Sequence, residues 1–133
     1  MKAVVVTATG VQIQDVPAPT PKPNEVLIRV RACGLNRADL MVASGMAHGR
    51  AGGAGTIVGL EFVGEVADLG AEAKAESGLQ IGDRVMCGGA QGWAEYAVAD
   101  WGRAAKIPDG NVSWNEAATL PTALNTMHNA VVT

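Results

Sequence analysis

A chain of 133 residues with 48% hydrophobic content holds enough apolar side chain for one folded domain with a core. Its net charge of −3 and scattered basic residues form no phosphate-tracking stripe, so nucleic acid is not an expected partner. The start MKAVVVTATG lacks the apolar stretch of a signal peptide and no apolar run is long enough to span a bilayer, so the chain is expected to be cytoplasmic, with no membrane partner.

Lys2 to Thr7 reads as a valine-rich strand, Gly10 as a turn, and Val11, Ile13 and Val16 as the alternating partner strand of a hairpin. Pro17, Pro19, Pro21 and Pro23 then exclude helix and ladder interior, which leaves an extended surface connection up to Asn24 or a proline-rich ligand for another domain. Glu25 to Ala32 is the clearest strand, with Val26, Ile28, Val30 and Ala32 on its core face. Leu27, Arg29 and Arg31 take the other face, and nothing nearby completes an anion clamp around the two arginines.

Asn36 followed by Asp39 predicts a capped helical turn over Arg37 to Ser44, because an Asn side chain accepts an N–H bond and a carboxylate favours the positive helix end. An ordinary cap explains both residues without chemistry; a polar cleft wall explains them too. The stretch from Gly45 to Gly55, rich in glycine and alanine, is expected to form a mobile rim.

Phe62 to Leu69 alternates as a strand, and Gly70 to Ser77 suits an exposed linker whose alanines could support a helical turn. Further strands are predicted at Arg84 to Met86, Ala94 to Ala99 and Ala104 to Ile107, the last stopped by Pro108-Asp109-Gly110. Ser113 with Glu116 forms a capping box for a helix from Trp114 to Leu120, and Pro121 breaks it and starts a second helix to about Val132. The fold class is therefore mainly β with C-terminal helices, and the apolar ending HNAVVT suggests a chain meant to continue.

Cys33 and Cys87 lie far apart and outside any CxxC, which predicts two reduced thiols. With only His48 and His128 as imidazoles, a four-ligand zinc site would have to gather its ligands from the whole chain, so no metal is expected.

The succession VLIRVRACGLNRAD, VGLEFVGEV, IGDRV, WAEYAVAD and EAATLPTALNTMHNAV resembles the N-terminal catalytic domain of the medium-chain dehydrogenase/reductase superfamily, in its zinc-independent quinone oxidoreductase (zeta-crystallin-like) group. The resemblance covers the whole chain. It implies a GroES-like, partly open β-barrel over residues 1–133, with 113–133 the helical start of the connection to a Rossmann domain that binds NADPH. That second domain is absent from this sequence, which has no G-x-G-x-x-G turn between a strand and a helix. Zinc-dependent relatives carry Cys-Gly-x-Cys-x-x-Asp and Gly-His-Glu. Here the corresponding residues run from Cys33 and Gly34 through Asn36 to Asp39 and from Gly59 through Leu60 to Glu61, so Asn36 and Leu60 replace two ligands.

The implied reaction is hydride transfer from NADPH to an electron-poor quinone or enone. The resemblance assigns polar positioning to Asn36, with Asp39 holding its turn, as the catalytic pair. Asn36, Arg37, Ala38, Asp39, Leu40, Met41 and Thr126 would line the nicotinamide end of the cleft. Met41 and Ala47 fall in the substrate pocket where quinone reductases of this group often place tyrosines, and a planar ring loses its stacking partner there. Glu61 is expected to be structural. The resulting expectation is the catalytic half of an NADPH-dependent reductase, inactive by itself and able to form a homodimer through its uncovered face. The alternative is a free-standing GroES-like binding or assembly module without enzyme activity.

Overall fold

The structure, a computed structural model, describes residues 1–48 and 52–132. In chain order its elements are β1 (Lys2–Thr7), β2 (Gly10–Asp15), β3 (Glu25–Cys33), α1 (Arg37–Ala43), β4 (Glu61–Leu69), α2 (Ala71–Glu76), β5 (Arg84–Gly88), β6 (Tyr96–Asp100), β7 (Ala104–Lys106), α3 (Trp114–Ala118) and α4 (Pro121–Val132). The rim expected from Gly45 to Gly55 has its middle, 49–51, outside the described residues.

β1 and β2 form the expected antiparallel hairpin, with Val4 opposite Ile13. Its turn closes at Gly10, whose φ of +119° disfavours side chains and whose carbonyl accepts from Thr7 Oγ1 at 2.7 Å. The other five strands make one antiparallel sheet in the order β6-β3-β4-β5-β7. Register shifts between β3 and β4, at Leu27/Ile28 and at Val30/Ala32, bend the sheet into a curled half-barrel. The hairpin closes against it through Val4 N–H to the Trp93 carbonyl and Val6 N–H to the Thr56 carbonyl, both 2.8 Å. Every strand pairing among the described residues is antiparallel, so no parallel dinucleotide-binding sheet lies within them.

The main core gathers Val26 and Ile28 from β3, Phe62 and Val66 from β4, Val85 and Cys87 from β5, and Ala97 and Ala99 from β6. Val63, on the opposite face of β4, packs with Ile107, Ala117 and Ala118, so the middle strand is covered on both sides. A smaller cluster of Val6, Val42 and Val58 seats α1. The Arg84 guanidinium, 4.3 Å over the Trp114 ring and bonded to the Val112 carbonyl at 2.9 Å, pins the start of α3. Arg31 pairs with Glu65 at 2.8 Å, a partly exposed ion pair on the sheet's outer face.

Two expectations need correction. The polar stretch from Gly70 to Ser77 is not an exposed linker throughout: it forms α2 and buries Ala73 completely in the main core. The chain approaches closely enough because Gly70 has no Cβ, which would otherwise meet the Lys22 carbonyl. Val30 and Ala32 are only partly buried and do not share one core face: Val30 packs against the main core, whereas Ala32, beyond the second register shift, packs against the Val63 cluster. Cys33 and Cys87 are both free thiols, one exposed and one buried.

Candidate functional site

The end of β3 delivers Gly34, Leu35 and Asn36 to the mouth of the half-barrel, where α1 begins. Asn36 is the N-cap and Asp39 the third helical residue, a capping box in which the Asp39 carboxylate accepts the Asn36 backbone N–H at 2.7 Å. Asp39 is 1% exposed. Its other oxygen, Oδ1, makes no hydrogen bond, although the Leu60 and Gly59 N–H groups act to favour the charged form. Burial outweighs these donors and, with the nearby Glu61 charge, pushes the Asp39 carboxyl above its ordinary value.

The Asn36 side chain turns from the helix toward Glu61, with Nδ2 donating to Oε1 at 2.8 Å. Glu61 is also buried, and its second oxygen accepts the Thr122 backbone N–H at 2.8 Å, in the first turn of α4. An open cleft of about 430 Å³ runs between these parts, with Gly34, Leu35, Asn36 and Glu61 on one wall and Thr119, Thr122, Ala123, Thr126 and Met127 on the other. A larger apolar hollow of about 510 Å³ lies beside the hairpin, lined by Val4, Ile13, Val30, Leu35 and Trp93 among others. Chemistry needs polar groups converging on one spot. The smaller cleft has an amide, a carboxylate and threonine side chains together, so it is the candidate site.

The structure thus brings Asn36 and Thr126 to one cleft. Arg37, Ala38, Leu40 and Met41 do not border it: Asp39 and Val42 turn one face of α1 inward, which leaves Arg37, Leu40 and Met41 exposed and Ala38 half-buried. Ala47 is exposed on the rim. Asp39 is too deep to touch a ligand and acts on the site through the Asn36 backbone. Sequence reasoning gave Glu61 no role at the cleft and passed over Gly34 and Thr122; their relation depends on contacts between distant segments, for which no local pattern exists.

Among the described residues, no group of three or more His, Cys, Asp or Glu side chains comes together. Asn36 and Leu60 are not normal zinc ligands, and the Asn36 amide nitrogen is committed to a carboxylate, so these residues do not fit a zinc site. Cys87 lies in the core, and burial pushes its thiol up to about 12, which removes it as a nucleophile.

Residues 22–109 match the alcohol dehydrogenase GroES-like domain family. The trans-enoyl reductase xenG of Xenoacremonium sinensis is 36% identical over 115 residues, covering 78% of this chain and 29% of that protein. The crystal structure of human synaptic vesicle membrane protein VAT-1 homolog-like protein superposes with a TM-score of 0.86 at 35% identity, over 98% of this chain and 42% of that one. Mycobacterial Rv1454c, solved in complex with NADPH, gives a TM-score of 0.84 at 31% identity, over 98% of this chain and 40% of that one. The chain therefore spans less than half the length of each of these relatives.

Proposed function

Because the chain belongs to the alcohol dehydrogenase GroES-like domain family, we propose that it is the substrate-side domain of a zinc-independent, NADPH-dependent reductase acting on an enone or quinone. The observation that carries this reading is the cleft itself. A neutral amide, Asn36, lines the cleft across from the wall that carries Thr126, where a zinc-dependent site would need metal ligands. NADPH would supply the hydride from a dinucleotide-binding domain joined through 113–133.

The chain's own residues would bind, orient and exclude water. Asn36 would donate a hydrogen bond to the substrate carbonyl and steady the negative charge that develops on its oxygen. Asp39 holds the Asn36 backbone. Thr126 would contact the nicotinamide edge, with exposed Arg37, Leu40 and Met41 and half-buried Ala38 as a rim that the second domain could cover. Met41 and Ala47 offer no aromatic face, which favours an enone over a planar quinone ring. The enoyl reductase among the relatives supports the same substrate class. Among the described residues no helix is long and apolar enough to cross a membrane, and cytoplasmic placement belongs to this proposal.

The test begins with the native gene product, detected in lysate of the source cells by an antibody raised against this chain. A band more than twice the size of the polypeptide is expected, and its purified form should oxidise NADPH with an enone. Asn36→Ala should lower kcat/KM roughly 10²-fold. A native product no larger than this chain, inert toward NADPH, would instead identify a free-standing binding module.

A further inference from the structure

Glu61 begins β4 and is only 4% exposed, yet both of its oxygens are used. Oε1 accepts from the Asn36 amide on one wall of the cleft and Oε2 from the Thr122 N–H on the other, each at 2.8 Å. A carboxylate accepts and does not donate, so the Asn36 amide must present its nitrogen; the flipped amide would set two acceptors face to face. Thr122 belongs to the first turn of α4, where N–H groups lack helical partners and a negative charge is favoured. Across from the carboxyl stands Gly34, where a Cβ would collide with it.

We propose that Glu61 is a positioning residue that fixes the Asn36 amide and latches α4, so that one carboxylate sets both the orientation of the polar group and the spacing of the cleft walls. This rests on the reading that Asn36 meets substrate, and it deepens that reading. Of the two Nδ2 hydrogens, one is committed to Glu61 and the other remains as a donor. That donor can meet an acceptor on a ligand, such as a carbonyl oxygen.

The latch can be measured without turnover, by hydrogen exchange and 15N NMR on this chain. In the wild type, the Asn36 side-chain amide should exchange about tenfold more slowly than that of exposed Asn111. The Thr122 backbone amide should be protected. Glu61→Leu removes both acceptors at similar volume, and Gly34→Ala displaces the carboxyl without removing its charge; either should shift and speed up both signals. A purely structural Glu61 would lower the melting temperature and leave the Asn36 amide unchanged, which would overturn the proposal. So would wild-type exchange at Asn36 as fast as at Asn111, and that ratio decides alone if neither variant folds. Normal turnover in an Asn36→Ala full-length enzyme would remove the functional reading and leave the NMR result standing.

Discussion

Asp39 carries the least comfortable charge in the described structure, buried with one oxygen free of hydrogen bonds. Because its folded-state value is raised, chiefly by burial, the folded chain holds the proton more tightly than the unfolded chain does. Its contribution to stability is therefore fully present below the ordinary value of 3.8 and is lost as pH rises through the raised value. Asp39→Asn, neutral throughout, should not show that loss, so the melting-temperature difference between variant and wild type should move in the variant's favour as pH increases. A difference that stays constant with pH would show that the Asp39 charge does not act this way. The spacing of Asn36 and Asp39 was legible as a capped helical turn, because a cap is written in a few consecutive residues; that the Asp39 side chain closes a box on the Asn36 N–H is what the structure adds. The partner of the Asn36 amide was not legible: the alternation over Phe62 to Leu69 marks a strand but says nothing of the carboxylate that opens it, whose contacts with Asn36 and Thr122 join segments distant in sequence.

Among the elements, β4 bears most on stability, since Phe62 faces the main core and Val63 the cluster under α3. Phe62 is fully buried, and its ring fills space that Gly92 leaves by lacking a Cβ. Phe62→Ala should cost about 3–5 kcal/mol in denaturant unfolding. A loss below about 1 kcal/mol would mean the neighbouring loop collapses into the gap. Elements with strong local signals were readable from the chain alone: β1 by its valines, β3 by alternation and α4 by the Pro121 that starts it. The helical turn of α2 was allowed by its alanines, but its burial was not legible, because a run of alanine and charge looks solvated and a residue as small as Ala73 gives no hint that a core will close over it.

For the molecule as a whole, an exposed apolar stripe lies on α4. Leu124, Met127 and Val131 follow a three-then-four spacing, and all are exposed. In the proposed full-length protein this stripe would face the dinucleotide-binding domain. In the isolated chain it is available to a second copy, so sedimentation velocity should show concentration-dependent dimers. Leu124→Glu with Met127→Glu should return the chain to monomer. A monomer at high concentration in the unaltered chain would count against a covered role for this face.

The position of β3 between β4 and β6 also bears on how the chain reaches this shape. Val26 pairs with Leu69 on one side and with Ala99 on the other, so the sheet cannot close until almost the whole of the strand-forming sequence is available. Loop-closure entropy is spent before those contacts return anything, and folding should be slow for the chain's size, on the order of milliseconds to seconds. During synthesis, β3 must wait for β6 with one edge bare, which makes the interval between those two strands the time at which this protein is most exposed to mispairing.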